Sequence, residues 1–376
     1  MAKNGEKSLP IFSFVPERIE KTKKLTETEH FSYPCINTCQ ERGRRVIDLS
    51  ILDQAPVSKG NGPHETLRRS AELARLSEGW GYKRYWFAEH HGTRGLASVS
   101  PEIMIAHTAA ATTSIRVGSG GVLLPQYSPY KVAETFRQLE ALHPNRIDLG
   151  VGRSPGGTTK IRLALTDGVK KSMTEFNRQL QDLSSFLTDS VPSDHAYAGI
   201  KTAPLIETAP QLWVLGLGEN SARRAALQGA GYVFGHFINP ERGEKAFQIY
   251  RNHFRASAHF SAPASLCAIF VICAATDEKA EELALSQDLW LLRVGKGADS
   301  RVPSVEEAKA YPYSPEDRKQ IEENRKRMVI GSPAAVKRRL LELSERYQTK
   351  EMMVLCNVFD FEAKKESYER LADIFL

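Results

Sequence analysis

No apolar stretch in this 376-residue chain is long enough to cross a bilayer, so no membrane-spanning segment is expected. The first residues include Lys3, Glu6 and Lys7 and lack the apolar centre of a secretory signal. Cysteine is scarce: Cys35, Cys39, Cys267, Cys273 and Cys356 form an odd, scattered set. That excludes a disulfide framework and predicts a reducing, cytoplasmic setting. The Cys35/Cys39 spacing is a poor zinc half-site, and no second Cys or His pair completes it. A long basic stripe with interleaved aromatics is also missing. Much of the net charge of +6 sits in Lys21–Lys24 and Arg42–Arg45. Nucleic acid is therefore not an expected partner.

What is present suits a globular protein. With 41% hydrophobic and 26% charged residues, the chain can bury a real core. Residues 1–45 stand apart: they are polar, aperiodic and interrupted by Pro10, Pro16 and Pro34. They read as an N-terminal extension, partly disordered or draped over a surface. Residues 46–376 read as the working domain. In it, eight apolar runs suit buried strands: Val46–Leu52, Arg84–Ala88, Ile115–Leu124, Arg146–Val151, Gln211–Leu215, Tyr232–Phe237, Leu266–Ala274 and Glu351–Val358.

Helical patterns lie between these runs. Leu67, Ala71 and Ala74 make an apolar stripe that Gly79 and Gly81 end. Ser100-Pro101 reads as a cap with a proline in the first turn. Val132, Phe136 and Leu139 form another stripe, and Ser221–Leu227, Asp277–Leu285 and Pro333–Tyr347 read as further helices. Strands alternating with helices predict an α/β fold, a (β/α)₈ TIM barrel with loop insertions, with a doubly wound open sheet as the alternative. Residues 189–210 and 293–328 read as the long insertions.

In a barrel, polar residues at strand C-terminal ends are the site candidates. Asp53-Gln54 ends the first strand, where turn chemistry competes with a role in the site. At Glu89-His90-His91 an apolar run stops abruptly on three ionisable groups. Adjacent histidines on a strand point to opposite faces, which argues against joint metal binding and for one facing a cleft. Gly118-Ser-Gly-Gly121 lies within a strand, where glycine allows close approach by a ligand. Gly150-Val-Gly-Arg-Ser-Pro-Gly-Gly157 places Arg153 where a cation could meet a phosphate or carboxylate. Gly216-Leu-Gly-Glu-Asn-Ser221 precedes a helix, a natural anion site. No acidic residue follows about twenty positions on to hold a ribose, which weakens a dinucleotide reading.

The order of motifs resembles the bacterial luciferase-like flavin monooxygenases. The resemblance is carried by Leu49-Ser-Ile-Leu-Asp-Gln-Ala-Pro-Val57, Trp86-Phe-Ala-Glu-His-His91, Gly118-Ser-Gly-Gly-Val-Leu-Leu-Pro125, Arg146-Ile-Asp-Leu-Gly-Val-Gly-Arg153 and Leu215-Gly-Leu-Gly-Glu-Asn-Ser-Ala222. Val329-Ile-Gly-Ser-Pro333 and the ending around Ser367-Tyr368 extend it. It implies a luciferase-like barrel that takes reduced FMN from a separate NAD(P)H:flavin reductase. With O₂ this forms a flavin C4a-hydroperoxide that oxygenates a small organic substrate. It implies a homodimer, and the composition predicts no membrane or nucleic-acid partner. It assigns His90 as the catalytic histidine and Arg153 as the phosphate arginine. Gly216, Leu217, Gly218, Ser221 and Ala222 become the phosphate loop and helix start. Gly120 and Gly121 lie under the flavin ring, where the family often has a strained, sometimes cis, peptide. No metal is expected. Two departures stand out: Gly152 replaces the reactive cysteine of luciferases proper, and Leu217 and Gly218 replace frequent serines, so light emission is not implied. Hydride transfer with F420 or FMN, and a non-catalytic flavin-binding relative, remain as alternatives.

Overall fold

The computed structural model describes residues 47–154 and 156–376. The expected N-terminal extension, with Cys35 and Cys39, lies outside the described residues. Nine strands form one sheet: β1 (Asp48–Asp53), β2 (Arg84–Phe87), β3 (Arg116–Leu123), β4 (Ile147–Gly152), β5 (Gln211–Gly216), β6 (Gly231–Gly235), β7 (Ser265–Cys273), β8 (Met328–Gly331) and β9 (Glu351–Leu355). All pairings are parallel. β1 pairs with both β2 and β9, and β7 with both β6 and β9, so eight strands close into a ring. The fold is a TIM barrel, and the open doubly wound alternative is excluded.

The eight strands of the ring are the eight read from sequence, and β8 is an addition to them. It pairs only with residues 270–273 of β7 and stays outside the ring. Four residues after a charged run are too short for a hydrophobic period to register. The helices are α1 (Pro63–Gly79), α2 (Pro101–Ala110), α3 (Pro129–Leu142), α4 (Thr159–Leu165), α5 (Phe176–Leu187), α6 (Glu219–Gln228), α7 (Gly243–His253), α8 (Asp277–Gly295), α9 (Val305–Ala310), α10 (Pro315–Arg325), α11 (Pro333–Tyr347) and α12 (Phe361–Phe375). The stretch 293–328, expected as an insertion, thus contains two helices of its own. None of the described helices is long and apolar enough to cross a membrane.

Strand residues alternate between two clusters, as a period of two requires. Leu49, Ile51, Tyr85 and Phe87 pack with helix residues such as Leu73 and Phe136. Leu52, Trp86, Trp213, Phe270 and Met353 fill the barrel interior. The face of α1 differs from the expected stripe. Thr66, Ser70, Leu73, Ala74 and Ser77 are buried, while Leu67 and Ala71 are half-buried. The small hydroxyls tolerate burial because Thr66 and Ser77 donate to backbone carbonyls four residues earlier.

Charge occupies the N-terminal end of the barrel. Arg84 donates to Asp148 and to Glu351, both at 2.7 Å, and its guanidinium lies 4.7 Å from the Trp213 ring centroid. Arg116 adds a 2.6 Å contact to Asp148, and Lys83 a 3.0 Å contact to Glu351. Burial alone would raise the Asp148 carboxyl, but Arg84 and Arg116 outweigh it and hold it below its ordinary value. Arg84→Met strands two buried carboxylates on their remaining partners. It should cost about 3–5 kcal/mol, measured by urea unfolding.

Three histidines give a second expectation. Burial lowers His90, His236 and His259 to about 4. The unfolded chain protonates them near about 6.5, so between those values it binds more protons than the folded state. Stability should therefore fall as pH drops below about 6.5 and keep falling towards about 4. The slope should exceed the about 1.4 kcal/mol per pH unit that one proton gives. Urea midpoints across this range test it, and a flat profile would refute it.

Candidate active site

The C-terminal strand ends open into a cavity of about 1290 Å³. Typical single-ligand pockets hold about 300–1,000 Å³, so there is room for a flat cofactor and a second molecule. His90, Gly120, Gly121, Arg153, Gly216, Leu217, Gly218 and Ser221 all line it. Ala222 does not. Its side chain is buried in the helical layer, and its amide donates to the Gly218 carbonyl.

The cavity floor is glycine backbone. The Gly120-Gly121 peptide is cis, and the β3–β4 register shifts there. A Cβ on Gly120 would collide with the end of Leu52, a side chain able to move. A Cβ on Gly121 would lie 2.7 Å from the Gly150 carbonyl oxygen, which cannot. Only a residue without a side chain fits at Gly121, which leaves backbone facing the cavity there.

β2 stops at Phe87, so Glu89-His90-His91 lies on a loop rather than on the extended strand expected from sequence. The two histidines still differ sharply. His91 Nε2 lies 2.7 Å from Glu89 Oε1. Glu89 also accepts from the Leu123 amide at 2.9 Å and from the Tyr127 hydroxyl at 2.5 Å. His91 is thus fixed to the wall. The His90 backbone amide donates to Ser98, but its ring Nδ1 is buried with no partner. Burial, helped by His91, lowers His90 to about 4, so the ring is neutral near pH 7. An unsatisfied buried nitrogen costs about 1–3 kcal/mol unless a ligand bonds to it.

The opposite end of the cavity favours anions. The Glu219 and Asn220 amides open α6 and have no intrahelical acceptor. Gly216 leaves space that the Ser221 side chain fills. The Ser221 hydroxyl donates to the Gly218 carbonyl at 2.7 Å, so it is already engaged. Arg153, Arg224 and Arg242 surround this start, and among the described residues none has an ion-pair partner. Burial and the nearby Arg153 charge lower Arg224. Glu219 is paired with Lys245 at 3.0 Å. Sequence reasoning found only Arg153. Arg224 falls three residues after Ser221, on the same helix face, and that spacing could have revealed it. Arg242 reaches the site from beyond β6, for which no local signal exists.

The remaining wall is mainly aromatic and aliphatic, with Arg327 set in it. Phe237, Phe270 and Trp290 stand in sequence, with ring centroids 5.4 and 6.5 Å apart. The Trp290 indole donates to the Ser300 carbonyl at 2.7 Å, and Ser300 also bonds Thr93 at 2.7 Å. These contacts fix the α8–α9 connection against the loop after β2. Gln54 lines the cavity and accepts from Asn357 at 2.7 Å. Asp53 is structural: it accepts from Tyr85 at 2.6 Å and Ala55 at 2.8 Å, and pairs with Lys364. Among the described residues, no group of three His, Cys, Asp or Glu side chains could hold a metal.

A model of the luciferase-like monooxygenases matches residues 47–349. The chain belongs to this family. An uncharacterized protein of Bacillus subtilis, YceB, is 80% identical over 88% of the chain and 100% of its own length. An N-acetyl-S-alkylcysteine monooxygenase of the same organism is 35% identical over 88% of the chain and 99% of its own. The crystal structure of apo-MsnO8 superposes with a TM-score of 0.81 at 37% identity, covering 88% of this chain and 98% of that one. Two more distant structures share the fold alone. A Type II Baeyer-Villiger monooxygenase in complex with FMN has a TM-score of 0.64 at 17% identity, covering 88% of this chain and 98% of that one. An F420-dependent secondary alcohol dehydrogenase with an F420-acetone adduct has a TM-score of 0.56 at 14% identity, covering 88% and 99%.

Two glycines on neighbouring strands make a paired test of this luciferase-like floor. A Cβ on Gly152 meets nothing nearer than 4.0 Å, unlike one on Gly121. Gly121→Ala should lose about 1–3 kcal/mol, and Gly152→Ala should stay within about 0.5 kcal/mol. Denaturant midpoints of both variants check this.

Proposed function

We propose that this chain is an FMN-dependent monooxygenase that oxygenates a small organic substrate. The observation that carries the reading is the alignment in one cavity of an anion end, a glycine backbone floor and a neutral, unpartnered histidine nitrogen. The residues present fit a flavin mononucleotide. Arg153, Arg224 and the first amides of α6 would offset the phosphate charge. Gly120 and Gly121 would accept the ring system against backbone. Reduced flavin supplies two electrons to O₂, one oxygen atom entering the substrate and the other leaving as water. A separate NAD(P)H:flavin reductase would supply the reduced flavin.

The protein's own contribution is binding, orientation and proton placement. His90, neutral near pH 7, can donate from one ring nitrogen and accept at the other. Glu89, held by Leu123 and Tyr127, fixes His91 beside it. Phe237, Phe270 and Trp290 exclude water from the reacting end. The relative named for N-acetyl-S-alkylcysteine oxygenation supports a small organic substrate.

Anaerobic titration compares FMNH₂, reduced F420 and NADH. FMNH₂ should bind best, and Arg153→Met should weaken it by about tenfold or more. Oxygen uptake with N-acetyl-S-benzylcysteine as the first probe should fall about 10²-fold or more in His90→Ala, with FMNH₂ affinity within about twofold. Hydride transfer from reduced F420 without oxygen uptake would replace this reading.

A further inference from the structure

One cation in the cavity has no task in flavin binding. Arg327 precedes β8 and lines the wall with Phe237, Phe270, Trp290, Leu291 and Val294. Its guanidinium is braced by the Asn324 side-chain oxygen and, at 3.5 Å, by the Phe237 carbonyl. Both are neutral acceptors. Its sequence neighbours spend their charge on acids. Arg325 pairs with Glu281 and Asp288, and Lys326 with Glu323. Among the described residues, Arg327 has no carboxylate within ion-pair distance.

The setting makes that isolation costly. Arg327 is half-buried, and burial alone lowers its pKa, yet an arginine stays charged at neutral pH. Removing a guanidinium from water without a counter-charge is unfavourable. Its surroundings also differ from the anion end. The cavity thus offers cations in two settings, one beside the first amides of α6 and one set in aromatic and aliphatic wall.

We infer that Arg327 recognises a carboxylate on the substrate, which is an organic acid with an apolar body. The guanidinium fork matches a carboxylate with two parallel hydrogen bonds. Asn324 and Phe237 hold the fork in place. The apolar body would lie along Phe237, Phe270 and Trp290. Calling this molecule the substrate rests on the flavin reading above, whereas the acid site itself does not.

The test uses 4-phenylbutyrate and its uncharged analogue 4-phenylbutyramide as calorimetric probes. In wild-type protein saturated with FMN, the acid should bind about tenfold or more tighter than the amide. Arg327→Met should erase that preference and leave FMN affinity within about twofold. Arg327→Lys, the milder change should the first variant fold poorly, should keep the preference but weaken it. Arg153→Met should weaken FMN and, without flavin, keep the preference for the acid. Equal binding of acid and amide by the wild type would overturn the inference. So would a preference that survives Arg327→Met, is lost in Arg153→Met, or is abolished by Arg327→Lys. FMN loss in Arg327→Met equal to that in Arg153→Met would return Arg327 to the phosphate end. FMN binding indifferent to Arg153→Met would sink the flavin-phosphate reading and leave the acid result standing.

Discussion

The buried carboxylate of Asp148 is the contact on which both ends of the barrel depend. It accepts from Arg84 and Arg116, which fill the N-terminal end with paired charge. It also accepts from the Trp86 indole at 2.9 Å. Trp86 passes under the β3 glycines: a Cβ on Gly118 would lie 2.7 Å from its Nε1, and one on Gly120 would lie 3.3 Å from its ring. The ion cluster therefore orients an indole, and the indole supports the backbone floor on which a flat ligand can rest. Losing Asp148 would take the acceptor from the Trp86 indole and the carboxylate from Arg84 and Arg116.

This arrangement also accounts for the cavity at the C-terminal end of the barrel. Large interior side chains and paired charges fill its lower part, so unfilled volume collects above the strand C-termini. There the polarity divides. The carboxylates near the cavity are already engaged, Glu89 by its amide and hydroxyl donors and Glu219 by Lys245. Among the described residues, the guanidiniums of Arg153, Arg224, Arg242 and Arg327 have no carboxylate partner.

What the sequence made legible were features with a local signal. Eight strands, β1 to β7 and β9, matched apolar runs within a few residues. Proline and glycine marked the starts and ends of several helices, as at Pro333 and Gly229. β8 escaped because four residues carry too little periodicity. The carry-on of α8 to Gly295 escaped as well, although it brings Trp290 to the cavity. Arg242 and Arg327 were invisible for a different reason. Each is ordinary in its own segment and becomes notable only when distant strands place it beside an apolar or glycine-rich wall. Asp53 shows the converse: of the two readings open for it, turn chemistry and a role in the site, the bonds from Ala55, Tyr85 and Lys364 support a structural one.

The same reasoning separates a built site from an accidental hollow. A hollow left by imperfect packing would be lined by groups satisfied among themselves. Here His90 Nδ1 is buried without a partner, and four guanidiniums face the cavity without a carboxylate, among the described residues. The buried His90 nitrogen and the half-buried Arg224 and Arg327 raise the free energy of the unliganded state by an amount that a hydrogen-bonding ring or an anion would recover. The rigid contacts nearby prevent the protein from relieving this cost itself. Glu89 is locked by three donors, and the Trp290–Ser300–Thr93 chain fixes the opposite wall. The site is thus organised before its ligand arrives, and that prior organisation lets binding energy go into specificity rather than rearrangement.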